Sequence, residues 1–174
     1  MTQEAQHPVE FDDLYRDLIL DHYRHPRHKG TLAAATIAAE GMNPSCGDEI
    51  RVELRIEDGR LADIAFSGMG CSISQASASM MSDEAVNGGS GGKLLSEIDT
   101  LSGHVQELLT HEDFDIDAVD VGDLEALSGV AKFPVRIKCA LLAWKVLDMA
   151  LAEARGEKAD TDSDIPIRIA STRN

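Results

Sequence analysis

The stretch from Asn43 to Cys71 constrains the fold more than any other part of the chain. It reads N-P-S-C-G-D, then two segments in which apolar and polar residues alternate, and then G-M-G-C. Alternation with a period of two is typical of half-buried strands, and two such segments joined by a short glycine-containing loop predict a β-hairpin. Because a hairpin brings its open ends together, the pattern places Cys46 and Asp48 near Cys71.

The register of this hairpin follows from keeping the apolar side chains of both strands on one face. A three-residue loop at residues 57–59 pairs Val52 with Ile64, and the extended ladder then places Asp48 near Gly68. A two-residue loop would slip the strands by one residue and turn the apolar set of one strand away from that of the other. We therefore expect the three-residue loop.

Length and composition predict one domain with short flanking segments. A chain of 174 residues with 43 % hydrophobic residues can bury one good core. Residues 1–9 show no pattern and are expected to be a flexible N-terminus, and residues 156–174 are expected to form a polar C-terminal tail. The domain itself is then predicted to span residues 10–155.

The charge of the chain argues against two classes of partner. A net charge of −15 leaves little room for the basic patch that nucleic acids or anionic membranes require, so we expect neither as a partner. No apolar run approaches the roughly 18 residues that span a bilayer, and the N-terminus lacks the pattern of a secretory signal. We therefore expect a cytoplasmic protein whose partners are proteins or metals.

Apolar residues repeat at helical spacing in four segments. Pro26 ends the first segment, an S-x-x-Q capping box at Ser72 begins the second, and Pro134 suits the first turn of the last. The predicted helices run from Phe11 to Pro26, from Ser72 to Asn87, from Leu94 to Leu109 and from Pro134 to Arg155. We expect the third helix to pack on the sheet, and residues 31–41 to form a third strand at its edge.

Three thiols and one carboxylate stand at the ends of these predicted elements. Cys46, Asp48, Cys71 and Cys139 match in number the ligands of a tetrahedral zinc ion. No C-x-x-C pair occurs, so on chemistry alone three unrelated core thiols remain an alternative. Glycines next to Cys46 and just before Cys71 let the backbone turn close to a site, which favours the metal interpretation.

Four longer motifs share one family signature, which covers about residues 11–152. They are D-L-Y-R-D-L-I-L-D-H-Y-R-H-P-R-H-K-G, N-P-S-C-G-D, G-M-G-C-S-I-S-Q-A-S-A-S-M-M and F-P-V-R-I-K-C-A-L-L-A-W-K. Together they resemble the IscU/NifU-N family of iron–sulfur cluster assembly proteins, most closely its SufU branch. The resemblance implies an α+β fold in which a small antiparallel sheet of about three strands packs against several helices. It also implies Zn²⁺ as the cofactor, held by Cys46, Asp48, Cys71 and Cys139.

Within that family, two features separate cluster scaffolds from sulfur acceptors. IscU-type scaffolds carry a histidine just before the third cysteine, where this chain has Lys138, and they lack the insert at residues 103–128. The resemblance to SufU implies a zinc-containing sulfurtransferase that takes persulfide sulfur from a SufS-type, pyridoxal-phosphate-dependent cysteine desulfurase and passes it to downstream iron–sulfur assembly proteins. It implies Cys46 as the acceptor thiolate, released from zinc by a ligand of the desulfurase, and Arg136 is our candidate for docking that enzyme. An IscU-type scaffold and a structural zinc module without transfer activity are the alternatives.

Overall fold

A computed structural model describes residues 7–87, 91–158 and 164–172, with backbone only for residues 7–14. Within these ranges the chain forms helices α1 to α4, strands β1 to β4 and two 3₁₀ segments, Ile116–Ala118 and Gly122–Lys132. The helices are α1 (His7–Arg24), α2 (Ser72–Val86), α3 (Leu95–Thr110) and α4 (Pro134–Ala154). The strands are β1 (Ile37–Met42), β2 (Glu49–Glu57), β3 (Arg60–Met69) and β4 (Ile167–Ala170). We call Gly122–Lys132 the long 3₁₀ helix.

The strands form one antiparallel sheet in the order β3-β2-β1-β4. On one face Val52 and Leu54 are fully buried, and α2 and α4 pack against this face. On the other face Arg51 forms ion pairs with Glu40 and Glu53. The predicted α+β class is confirmed, and the alternation in β2 corresponds to one buried face and one polar face.

The hairpin of β2 and β3 forms, but the expected register is wrong. A two-residue turn at Asp58-Gly59, with φ angles of 51° and 72°, replaces the expected three-residue loop. Such a turn requires positive φ at both positions, which an Asp-Gly pair tolerates. A bulge between Arg55 and Ile56 then restores the apolar pairing, so that Leu54 lies opposite Ile64. A two-residue turn alone would shift the strands by one residue and separate their apolar side chains. One extra residue in β3 cancels that shift.

The sheet has four strands instead of about three, because the C-terminal segment contributes one. β1 was expected at an edge, but it lies between β2 and β4. Ile165, within the expected polar tail, is 3 % exposed, and the carbonyl of Pro166 accepts a hydrogen bond from the Met42 amide at 3.2 Å. This segment therefore packs as part of the domain and reaches the end of the sheet where Cys46 lies.

The helices form a second and a third layer over the sheet. α1 packs against α2 and the long 3₁₀ helix, whereas α3 packs mainly against α4 and the long 3₁₀ helix, not on the sheet as expected. α1 begins at His7, four residues before the predicted start. Pro26 lies just beyond its end at Arg24, as predicted. None of the described helices is both long and apolar enough to cross a membrane.

Small side chains allow α2 to pack closely between α1 and α4. Ser77 and Ser79 are fully buried, and the hydroxyl of each forms a hydrogen bond with a large side chain of a neighbouring helix. The Ser77 hydroxyl donates to the carbonyl of Ala140 at 2.7 Å and accepts from the Trp144 indole N–H at 3.1 Å. The Ser79 hydroxyl is 2.8 Å from the Nδ1 atom of His22. These bonds fix α4 and α1 against α2 and provide partners for the buried Trp144 N–H and for the Nδ1 atom of His22.

We predict that Ser77→Ala lowers the free energy of unfolding by about 1–3 kcal/mol, because the buried Trp144 N–H is left without an acceptor. Urea unfolding followed by tryptophan fluorescence measures this change. Ser82→Ala is the matched control, since the bond that the Ser82 hydroxyl makes among the described residues is to the Ala78 carbonyl within the same helix. Equal losses in both variants would contradict the role assigned to Ser77.

Candidate metal centre

The loop Asn43–Asp48 joins β1 to β2 and is closed by its own hydrogen bonds. Asn43 is 2 % exposed. Its side-chain oxygen accepts from the Ser45 amide at 3.1 Å, and its backbone carbonyl accepts from the Gly47 amide at 2.8 Å. Gly47 adopts a φ of 75°, a conformation that side chains disfavour. The short, bonded loop holds Cys46 at the surface while it directs Asp48 inward.

Asp48 lies in the interior, at the point where the two ends of the hairpin meet. The carboxylate is 4 % exposed, and its Oδ1 atom accepts from the Cys71 amide at 3.2 Å. Its Oδ2 atom is buried and has no hydrogen-bond partner in the described part of the chain. A buried carboxylate oxygen without a partner is costly, and a bound cation removes that cost.

Gly70 leaves room for the contact between the Asp48 carboxylate and the Cys71 amide. A Cβ atom at position 70 would lie 2.2 Å from the Ser74 hydroxyl oxygen and 3.0 Å from the Asp48 carboxyl carbon. A side chain at position 70 would therefore force the Ser74 hydroxyl to move and would crowd the Asp48 carboxylate. The expected neighbour of Asp48 was Gly68, but Gly68 pairs with Ile50 in the observed register.

Cys71 is the N-cap of α2, a role that was predicted for Ser72. Its side-chain sulfur accepts from the Ser74 amide at 3.5 Å, and Ser72 is the first helical residue. The predicted capping box of Ser72 and Gln75 is therefore wrong. The amide dipoles at a helix N-terminus favour negative charge, so this position suits a thiolate.

Cys139 lies in the second turn of α4 and is 3 % exposed. Burial, together with the neighbouring Cys71 thiol, raises the pKa of Cys139 to about 12. A thiol in this environment stays protonated at neutral pH unless a positive charge binds next to it. Cys139 can therefore act as a thiolate ligand only with a bound metal ion, which displaces its proton.

Three of the four predicted donors converge in one group that could hold a metal ion. The ligand atoms of Cys46, Asp48 and Cys139 all lie within 4.8 Å of one another. Cys71 is not part of that group, although its thiol interacts with the Cys139 thiol. Donor atoms around tetrahedral zinc are about 3.3–3.8 Å apart, given Zn–S of ~2.3 Å and Zn–O of ~2.0–2.2 Å. The observed group needs only a small contraction to reach that geometry.

The donors differ sharply in access to solvent. Cys46 is exposed, Cys71 is half-buried, and Asp48 and Cys139 are buried. Asp48 and Cys71 are also tied to each other and to α2 by hydrogen bonds, whereas no side-chain hydrogen bond to Cys46 occurs among the described residues. A reactive partner can therefore approach Cys46 more readily than any other donor.

Two basic residues of α4 flank the group. The Lys138 ammonium lies 3.6 Å from a carboxylate oxygen of Asp164, in the segment that leads to β4. Arg136 is exposed in the first turn, and its guanidinium has no hydrogen-bond or ion-pair partner within the described ranges. The assignment of Arg136 to partner docking stays a prediction.

Two features of the site were not anticipated from the sequence. The first is the structural role of Asn43, whose side chain bonds to the amide two residues later, a turn that asparagine favours and that N-P-S could have suggested. The second is the bond from the Cys71 amide to Asp48, which depends on the register. No local signal in the sequence indicates this second contact.

Comparisons with known proteins place the chain in a family. The family model of the NifU-like N-terminal domain matches residues 14–140. The zinc-dependent sulfurtransferase SufU of Bacillus subtilis is 44 % identical over 148 residues, which is 85 % of this chain and 96 % of that protein. The iron–sulfur cluster assembly scaffold protein IscU of Thermotoga maritima is 39 % identical over 141 residues, which is 81 % of this chain and 94 % of that protein.

A solved structure agrees with these matches. The crystal structure of FiSufU from Fervidobacterium islandicum, a proposed iron–sulfur cluster assembly scaffold protein for the SUF system, has a TM-score of 0.68 and 30 % identity. The match covers 78 % of this chain and 94 % of that one. Since the family model spans well over half of the chain and these relatives align over nearly their whole length, the chain belongs to the NifU-like N-terminal domain family.

Proposed function

We propose that this protein binds one zinc ion through Cys46, Asp48, Cys71 and Cys139, and that Cys46 accepts sulfur from a cysteine desulfurase. The desulfurase is of the pyridoxal-phosphate-dependent SufS type, and the sulfur goes on to iron–sulfur cluster assembly proteins. The observation that carries this proposal is the asymmetry of the donor group. One thiol is exposed, while the carboxylate and the Cys139 thiol are buried.

The donor set favours zinc as the metal. Thiolate sulfur together with one carboxylate suits a tetrahedral zinc site. The buried Oδ2 atom of Asp48 has no hydrogen-bond partner among the described residues, and the buried Cys139 thiol becomes a thiolate ligand when a cation displaces its proton. The name of the Bacillus subtilis relative, a zinc-dependent sulfurtransferase, supports the same metal. When bound, zinc holds cysteines as thiolates at neutral pH, where a free thiol of pKa about 8.5 is mostly protonated.

The transfer step needs one thiolate at the surface that a ligand of the desulfurase can release from the metal, and the exposed Cys46 meets that need. Its sulfur attacks the terminal sulfur of the persulfide on the desulfurase cysteine. The bond between the two desulfurase sulfurs breaks, and its electron pair leaves with the desulfurase cysteine as a thiolate. Cys46 then carries the persulfide, with the proton still on the terminal sulfur. Asp48, Cys71 and Cys139 stay in place because they are buried or hydrogen-bonded.

A scaffold for cluster assembly is the second candidate, and the Thermotoga maritima relative favours it. Lys138 argues against the histidine-assisted form of that role. An ammonium group cannot ligate a metal until it loses a proton, and this ammonium contacts Asp164. This position therefore offers no nitrogen ligand of the kind that a histidine would supply to a scaffold.

Freshly purified protein should contain one zinc ion per chain and neither iron nor acid-labile sulfide. The reason is that Cys46, Asp48 and Cys139 converge with ligand types that tetrahedral zinc prefers, and Cys71 would complete the set of four. Metal analysis by mass spectrometry, with a sulfide assay on the same sample, measures all three. Stoichiometric iron and sulfide without zinc would favour the scaffold over the sulfurtransferase.

Cys46→Ser should keep the fold and part of the zinc but abolish sulfur transfer. Three protein ligands suffice to hold a zinc ion that has water in the fourth position, whereas a serine hydroxyl cannot carry a persulfide. The measurement is alanine production by the cognate cysteine desulfurase with free cysteine, beside zinc content and thermal unfolding of each variant. We expect stimulation of the desulfurase to fall to background.

Cys139→Ser is the matched control, because it removes a buried donor. This variant should lose zinc and unfold at a lower temperature. A structural zinc module predicts that both variants lose stability alike and that wild-type protein does not stimulate the desulfurase. Undiminished stimulation by Cys46→Ser would remove Cys46 from the mechanism.

A further inference from the structure

A groove of about 360 Å³ lies between α1, the start of α2 and the long 3₁₀ helix. Pockets of roughly 300–1,000 Å³ are typical of binding sites. We call it the basic groove. Its apolar lining includes Tyr15, Ile19, Ile73, Val130 and Phe133. Phe133 is 61 % exposed, and Val135 beside the groove is 84 % exposed, so large apolar side chains are open to solvent here.

The charge of this lining is opposite to that of the chain. The protein has 31 acidic and 16 basic residues. The described lining nevertheless includes Arg16, Lys132 and Arg136. The carboxylate in contact with this lining, that of Glu125, accepts a hydrogen bond from the Tyr15 hydroxyl at 2.5 Å. Among described residues the Arg136 guanidinium has no hydrogen-bond or ion-pair partner. A groove with an apolar floor and a cationic border is complementary to an apolar side chain flanked by carboxylates.

The groove adjoins the metal centre. Ser72 and Ile73 in its lining directly follow Cys71, and Phe133 and Arg136 lie within the two turns of chain that precede Cys139. A protein segment held in the groove would therefore lie next to the exposed Cys46 thiol. A docking site in this position brings a donor persulfide near Cys46 without contacting the buried ligands.

We propose that the basic groove binds a segment of the sulfur-donating partner, in which an apolar side chain is flanked by Asp or Glu. This inference rests on the proposed function and adds the chemistry of the contact. The long 3₁₀ helix forms one wall, so the insert at residues 103–128 together with the segment after it shapes a surface for this partner. Recognition then depends on filling the groove and on charge, and the chemical step depends on Cys46.

Gly129 allows a direct test, because it lies in the groove lining and has open space around it. A Cβ atom built on Gly129 meets no atom within 4 Å, and its φ is not in the left-handed region. Gly129→Leu should therefore fill the groove and leave the fold intact. With zinc-loaded protein and the cognate cysteine desulfurase, the concentration for half-maximal stimulation should rise about tenfold, while the rate at saturation stays unchanged.

Gly103→Leu is the matched control. Gly103 lies in α3, away from the groove lining, and a Cβ atom there also meets nothing within 4 Å. This variant should stimulate the desulfurase like the wild type. In wild-type protein the half-maximal concentration should also rise with salt, since charges at an exposed border are screened. A salt-independent value would contradict the acidic character of the partner segment.

Arg136→Glu provides a second variant on an exposed side chain, which keeps the test decisive should Gly129→Leu fold poorly. It should raise the half-maximal concentration and weaken its dependence on salt, because Arg16 and Lys132 remain. Wild-type behaviour of Gly129→Leu and of Arg136→Glu would overturn the docking site and leave the proposed function standing. Absence of sulfur transfer by the wild type would instead overturn the proposed function. Dissociation of a wild-type dimer by Gly129→Leu, measured by sedimentation, would assign the groove to a second copy of the chain and also overturn the proposal.

Discussion

The contact between Asp48 and the Cys71 amide is the constraint around which the site is built. It joins the loop before β2 to the residue after β3, and it holds a carboxylate in the interior with one oxygen unpartnered. The absent Cβ of Gly70 makes the contact possible. A buried, half-satisfied carboxylate is destabilising in isolation, and a bound cation would compensate that cost.

The helical layer supplies the remaining donor and sets its position. Ser77 of α2 donates to the carbonyl of Ala140, the residue after Cys139, and also accepts from Trp144 one turn later in α4. Because Cys71 caps the same helix that contains Ser77, one rigid element positions two of the thiols. The hairpin contributes Cys46 and Asp48 to the same end of the molecule. The donor group is thus held by the core, whereas Cys46 alone lies on a surface loop.

Much of this arrangement was predictable because the signals are local. Proline residues mark the end of α1 and the start of α4, and both predictions agree with the structure. The alternation in β2 predicted its buried face. The motifs that resemble the IscU/NifU-N family indicated the family and the four donors, of which the structure groups Cys46, Asp48 and Cys139.

The errors concern features that depend on non-local contacts. The bulge that shifts the hairpin register adds one residue to β3, and its only trace in the alternation of that strand is that Leu61 is out of phase with Ile64 and Phe66. β4 is four residues long and is a strand only because β1 lies beside it. Cys71 caps α2 in place of Ser72, since the chain must turn at Gly70 to meet Asp48. In each case tertiary packing overrides a reasonable local preference.

The most direct test of the account is to locate the sulfur on the wild-type protein after one turnover. Zinc-loaded protein is mixed with its cysteine desulfurase and isotopically labelled cysteine, the thiols are blocked, and the peptides with Cys46, Cys71 and Cys139 are analysed by mass spectrometry. The account predicts labelled persulfide on Cys46 and on neither of the other two. Label on Cys71 or Cys139, or label on none of the three, would contradict it.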